Sequence, residues 1–436
     1  MLKPSFFLIW MLSSMVLFGQ NLKMTFTATG ASDKVDSVKA INLRTNENVS
    51  LPGQDTLYLA LNTGINDFID HACQGFAYPN PFRGRTTVLV YINHAQTVTL
   101  GIYTLSGQLV ATGRMIVQQG SNAFSISLSR TGVYLISLST DRGTTSSKVI
   151  CTEPDGTGNW IKHSGITNGT ETPLWKATTI YSLGYSEGDI ILYRCRGGIH
   201  TTIITDSPRN SKNYPVEFVP CIDPEGKSYA IVKIDTQTWM AENLAWLPVV
   251  RKSNEGSDSL PYYYVYGYEG SIVTVAKNTM EYKKYGVLYN WSATMNPSDV
   301  KSTMPGKNSA VCPAGWHMPD DNEWKVLEMA LGMKQTDADT LYWRISGEVG
   351  KKLKSSVGWV DAGNGSNANG FTALPGGYRN IHGGFWNEGS YSLFWTATVI
   401  DTTSWYRSLS AIDSGVYRIS TYRSNGLSVR CIKNVP

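Results

Sequence analysis

Charge is what this sequence has least of: Asp, Glu, Lys and Arg together make up 17% of its 436 residues, against roughly 25% in ordinary soluble domains. That scarcity excludes long solvent-facing helices laced with i,i+4 ion pairs. Polarity comes instead from Ser, Thr, Asn and 41 glycines, beside 11% aromatics, a mixture that favours short strands joined by turns. The formal net charge is +4, without a basic tract; arginines stand singly between strand-like residues, as in Tyr406–Arg407 and Tyr417–Arg418. Nucleic-acid binders concentrate Lys and Arg on one face to neutralise phosphates, so nucleic acid is excluded as a partner.

Long apolar runs are also missing. The most apolar stretch, Phe6 to Phe18, falls short of the roughly 20 residues that cross a bilayer, so no transmembrane span is expected. It follows Lys3 and precedes Gly19–Gln20, the layout of a secretory signal peptide over residues 1–19. The expected location is therefore secreted or cell-surface. No two cysteines have zinc-knuckle spacing. In an exported chain six cysteines point to disulfides instead. Cys73, Cys151, Cys195 and Cys221 leave three connectivities open, of which Cys73–Cys151 with Cys195–Cys221 is the expected one.

The chain divides by its turn signals. Residues 20–72 read as a small β segment, with Leu57, Leu59 and Leu61 alternating after the Pro52–Gly53 turn. Residues 73–150 open on Tyr78-Pro-Asn-Pro-Phe82 and continue as strand-like runs over 86–92, 98–105, 109–117, 123–128, 132–138 and 148–150. Strands at this spacing make an antiparallel sandwich. The stretch resembles the type IX secretion C-terminal sorting domain in Tyr78–Phe82, in Ile102–Tyr103 with Gly107, and in Gly132–Tyr134. A sorting domain belongs at the C-terminus and this one is internal, which favours a structural spacer. Residues 151–219 read as another small β domain, ending at Pro220–Cys221.

Ten of the 13 tryptophans fall from Trp239 onward. Asp320 with Glu323 forms a capping-box pattern, Trp324, Leu327 and Leu331 share a helical face, and Gly332 supplies the stop. The segments KSYAIVKIDTQTWMAENL (227–244), YGVLYNWSA (285–293), CPAGWHMPDDNEW (312–324), NGFTALPGGYRN (369–380) and NGLSVRCIK (425–433) resemble the Fibrobacter succinogenes major paralogous domain over residues 220–436. The helix after Cys312 and the closing V-R-C are also similar to the formylglycine-generating enzymes. That resemblance implies a C-type-lectin-like module. The expected fold is thus multi-domain: all-β sandwich-like domains followed by an α+β C-type-lectin-like domain. It also implies a Cys312–Cys431 disulfide joining the helix region to the last strand.

The formylglycine-generating enzymes work through a metal-binding thiol pair, which is missing here. The acidic candidates for glycoside hydrolysis are Asp320, Asp321, Glu323, Glu348, Asp361 and Glu388. The first three serve helix capping, and a helix N-terminus favours their anions, the wrong direction for a general acid. Asp361, Asn364, Asn367 and Asn369 offer hard oxygen donors to calcium, but Asn and Gly are equally turn residues and no second carboxylate is present. The tripeptides E-P-N and W-N-D of calcium lectins do not occur in this domain. Calcium is the one cofactor considered, and the turn is the stronger reading. The expectation is a non-catalytic module binding an extracellular glycan or protein. The alternative is an unrecognised extracellular enzyme on the same fold, a hydrolase or a formylglycine-generating type. The residues expected to meet the ligand are Arg379, Trp386, Trp405 and Arg407, taken from a wider set that includes Tyr378, Asn380, Asn387, Tyr391, Trp395, Tyr406, Tyr417 and Arg418.

Overall fold

The β-branched and aromatic runs become strands, and their pairing redraws the domain boundaries. The computed structural model describes residues 21–61, 76–92, 94–141, 143–166, 181–295 and 311–434. The chain forms two units, one from residues 1–62 with 180–436, the other from residues 63–179.

In the first unit Leu22–Gly30 pairs parallel with Lys212–Phe218 and antiparallel with Leu57–Leu61, which pairs parallel with Tyr181–Tyr185. Ser37–Asn42 pairs with Ile191–Gly197. The stretches expected as separate small domains, 20–72 and 151–219, therefore share two sheets. Their inward residues form one core, including Met24, Phe26, Val38, Leu57, Leu183, Tyr193 and Val216. A parallel pair needs a long crossover; here residues 62–180 supply it.

The 219/220 boundary is crossed in the same way. His200–Asp206 pairs parallel with Ala230–Ile234, so one eight-stranded sheet runs from Asn48–Pro52 to Trp316–His317. Leu192 and Ile203 share a core cluster with Trp239, Trp324 and Phe371.

The inserted unit is an eight-stranded sheet curling toward a barrel. Its strands, Phe82–Ile92, Gln96–Thr104, Leu109–Val117, Gly120–Ser127, Gly132–Thr140 and Gly143–Pro154, follow the expected runs. It continues past 150, because Trp160–Ile166 pairs with Gly120–Ser127.

In the C-terminal region a six-stranded sheet is ordered Tyr342–Arg344, Val416–Tyr422, Thr403–Ser410, Tyr391–Ile400, Gly376–Arg379, Phe385–Glu388. The helix Asp321–Ala330 packs on it. Its capping box is formed: Glu323 N donates to Asp320 Oδ1 (2.8 Å) and Asp320 N to Glu323 Oε2 (2.9 Å). Trp324 and Leu327 are buried, and Gly332, at φ 104°, takes the left-handed position beyond the helix end that a side chain would strain. Among the described residues no helix is long and apolar enough to cross a membrane.

The Cys312–Cys431 disulfide is present. The expected Cys195–Cys221 pair is not: both thiols are free, one in the core of the first sandwich and the other in the core under the C-terminal sheet. Burial pushes the Cys195 thiol up to about 12 and Cys221 higher still, so both are inert thiols. Cys151 is buried; Cys73 lies outside the described residues.

Candidate functional site

Alternation along the strands of the C-terminal sheet gives it two chemically different faces. On Thr403–Ser410 the odd residues Trp405, Arg407 and Leu409 share one face and the even residues Tyr406 and Ser408 the other. Cross-strand register extends the division: Phe394, Arg407 and Arg418 lie side by side, as do Trp395, Tyr406 and Ile419.

The face toward the helix Asp321–Ala330 carries a buried ion network. Arg418 clamps Asp321 through Nε (2.8 Å) and Nη2 (2.7 Å), and Arg344 clamps Glu328 through Nη1 (2.7 Å) and Nη2 (2.8 Å). Arg407 Nε donates to Glu328 Oε1 at 2.7 Å. Its Nη1 is 2.8 Å from Asp321 Oδ1, an ion contact not aimed as a hydrogen bond.

Two of the four residues expected to touch ligand are therefore committed inside the fold. Arg407 is fully buried. Arg379, 1% exposed, donates to the carbonyls of Ser253 (2.8 Å), Ser424 (2.7 Å) and Glu255 (3.0 Å) and lies over the Tyr264 ring. Guanidinium groups buried among carbonyls and carboxylates are out of reach of a ligand in solvent. Trp405 is half-buried under the Arg418 guanidinium, 4.1 Å away. Trp386 is exposed on the edge hairpin, directly across from Tyr378.

The opposite face holds a cleft of about 560 Å³, within the range of small-molecule sites. Its walls carry the rings of Trp343, Tyr378, Tyr391, Tyr406 and Tyr417; Tyr422 borders it at the strand end but, paired with Thr403, has the parity of Arg418 and Trp405. Tyr417 is the hub, 5.0 Å from Trp343 and 6.3 Å from Tyr406. Burial holds the Tyr406 hydroxyl protonated well above its usual range. Polar groups come from Asn380, His382, Asn387, Ser408, Thr421 and Asn425. Tyr378, Asn380, Asn387, Tyr391, Tyr406 and Tyr417 belong to the wider set named from the sequence. Trp343, Tyr422, Asn425 and His382 do not, although alternation around buried Arg344 and Arg418 already sets Trp343 and Tyr417 on the other face.

Among the described residues no Asp, Glu, Lys or Arg lines the cleft. The acidic candidates lie elsewhere. Asp321 is in the ion network, Glu323 binds His317 and the helix N-terminus, and Glu348, Asp361 and Glu388 are exposed. Asp320 departs from the expected direction: burial raises its carboxyl despite the helix N-terminus.

The Asn oxygens considered for calcium serve turns. Asn364 Oδ1 accepts from Trp359 N (3.0 Å), Asn367 Oδ1 from Thr372 N (2.9 Å) and Asn369 Oδ1 from Phe371 N (2.9 Å). Asp361, at φ 53°, is exposed on the same loop. A lone free carboxylate beside three committed amides is a poor calcium cage.

His317 provides a pH-sensitive contact next to the disulfide. Its Nε2 meets Glu323 Oε1 at 2.9 Å and its Nδ1 meets Asn434 Oδ1 at 2.6 Å. Burial alone would lower its pKa, but the hydrogen bond and charge of Glu323 outweigh it and raise the value. A raised folded pKa contributes stability that is complete below the unfolded value, about 6.5, and disappears as pH rises through the folded one. The melting-temperature advantage of wild type over His317→Gln is therefore expected to be largest below pH 6.5 and to shrink toward pH 9. An advantage that grows with pH would contradict the pairing.

The five motifs of the sequence mostly build the core rather than the cleft. Arg430, fully buried, donates to Asn243 Oδ1 (2.8 Å) and to the carbonyls of Met240, Phe371 and Thr372, and burial lowers its pKa to about 9. Trp239, Trp324, Phe371 and Phe394 pack as one ring cluster with centroids 5.0–5.9 Å apart. Of the cleft residues, Tyr378, Asn380 and Asn425 fall within the motifs.

No curated protein and no solved structure matches the chain. Two family models do. The secretion system C-terminal sorting domain matches the inserted unit over residues 77–152, and it points to secretion or cell-surface attachment. Residues 232–433, which include the capped helix, the disulfide and the whole cleft, match the Fibrobacter succinogenes major domain.

Proposed function

We propose that this is an exported protein whose C-terminal region binds an extracellular ligand in the aromatic cleft, without chemistry on it. The observation that carries the reading is the cleft itself: five rings and six polar side chains line one concavity, with no carboxylate pair for acid–base hydrolysis among the described residues. Phe6–Phe18, read as a signal peptide, lies outside the described residues; the sorting-domain match supports export independently. A C-type-lectin-like architecture belongs to the same reading, supported by the capped helix and the disulfide that ties its approach to the last strand.

The test is capture followed by inspection. The mature protein is incubated with an array of glycans and unglycosylated proteins, and bound material is recovered and weighed by mass spectrometry. The expected result is saturable binding with the ligand returned intact. A recovered ligand that had been cleaved or modified would make the protein an enzyme and end the non-catalytic reading.

A further inference from the structure

The chemistry of the cleft selects among ligands. We infer, resting on the binding reading above, that the cleft takes an uncharged glycan, held by ring stacking and neutral hydrogen bonds rather than by ion pairs. The first ground is charge. The arginines nearest in sequence to the cleft residues are spent: Arg344, Arg407 and Arg418 on Asp321 and Glu328, Arg379 on three carbonyls, and Arg423 on Ser404 Oγ and the Asp401 carbonyl. With no Lys, Arg, Asp or Glu among the described residues lining the cleft, a sulfate, carboxylate or ammonium entering it while His382 is neutral would lose water and gain no counter-charge. Desolvating a neutral ligand carries no such penalty.

The second ground is the hydrogen-bond inventory. Asn380 Oδ1 is filled by the backbone N–H groups of His382 (3.1 Å) and Gly384 (2.9 Å), which leaves its Nδ2 as the donor. Asn425 is the reverse: Nδ2 donates to Thr421 Oγ1 at 2.8 Å, and Oδ1 is buried with no partner. One amide thus offers donors to the cleft, while the acceptor of the other is closed off from it. Ser408 and Thr421 add hydroxyls to the lining; a hydroxyl both donates and accepts, so a ligand rich in hydroxyls matches this neutral set. The third ground is the rings. Tyr and Trp present an apolar face with a polar rim, suited to a pyranose, whose C–H faces are apolar and whose edges carry hydroxyls. The site is also concave, whereas recognition of a folded protein generally covers about 800 Å² of each partner.

The experiment uses the mature full-length protein against neutral tetrasaccharides of glucose, galactose, mannose and N-acetylglucosamine, their sulfated, sialylated and uronic-acid counterparts, and unglycosylated peptides. Binding to at least one neutral glycan is expected, changing less than about twofold between 50 and 500 mM salt, since no ion pair is available for salt to screen. Tyr378→Ala and Tyr417→Ala should each weaken it about tenfold or more. Tyr378 is half-buried and pairs with the exposed edge residue Trp386, so that variant carries the test if Tyr417→Ala does not fold. Binding restricted to charged glycans or peptides, and weakened by these variants, would overturn the neutral-glycan assignment and leave the cleft as the binding site. Neutral-glycan binding that both variants leave intact, or no binding to any probe, would overturn the assignment and the cleft reading together.

Discussion

Glu328→Ala is expected to destabilise the C-terminal region by about 3–5 kcal/mol, the usual cost of removing one member of a buried ion pair. Glu328 is fully buried and accepts from two arginines, Arg344 and Arg407, themselves fully buried. Removing its carboxylate leaves two guanidinium groups short of a counter-charge in a site that water does not reach. The cost comes from stranded charge rather than lost attraction, so replacing Glu328, Arg344 and Arg407 together by apolar residues of similar volume should recover much of it. Chemical denaturation of the single and triple variants separates the two terms. A single-variant loss below about 1 kcal/mol would mean the network is not as closed as described. The neighbouring Asp321 adds an acid limit. Burial alone would raise its carboxyl, but Arg418 and Arg407 outweigh burial and hold it well below the usual carboxylate range. A depressed folded pKa contributes stability that is present above the unfolded value, about 3.9, and is lost as pH falls toward the folded one.

Opening Cys312–Cys431 is expected to cost about 2–5 kcal/mol, near the upper end. The bond closes a loop with a sequence separation of 119, for which the chain-entropy relation gives about 5 kcal/mol. Cys431 lies in the core cluster under the sheet with Met240, Trp316 and Val429, and Trp316–His317 pairs with Ile432–Lys433 just beyond it. Reduction therefore releases the sheet edge that holds His317 and Asn434 together. Melting of Cys312→Ala/Cys431→Ala against wild type measures the effect. An unchanged transition would show that the surrounding core fixes this edge without the bond.

Local order was legible in the sequence and long-range pairing was not. The capping box at Asp320–Glu323 and the strands of the inserted unit follow from spacing and residue type, which act over a few positions. Nothing local reports that Leu22–Gly30 will pair with Lys212–Phe218 across nearly 190 residues, so one sandwich reads as two segments with a domain between them. The candidate site failed by a parity. Aromatic and Arg residues alternate along 403–410 and 416–422, and the alternation separates two sets without saying which faces the helix. Arg379 and Arg407 lie with the buried set, where their charge meets Asp321, Glu328 and backbone carbonyls. Tyr391, Tyr406 and Tyr417 lie with the cleft. The signal that decides it is the pair of acids, Asp321 and Glu328: one helix supplying two buried carboxylates calls the arginines to its own side.

The most direct measurement of the central claim is the affinity of one captured ligand for Tyr378→Ala and for Trp405→Ala, each checked by a thermal melt. Tyr378 stands on the cleft wall, while Trp405 belongs to the opposite face beneath Arg418. At a temperature where both variants remain folded, Tyr378→Ala should lose about 2 kcal/mol of binding, and Trp405→Ala should bind as wild type while melting earlier. Lost affinity in Trp405→Ala with Tyr378→Ala unaffected would place recognition on the other face and contradict the account.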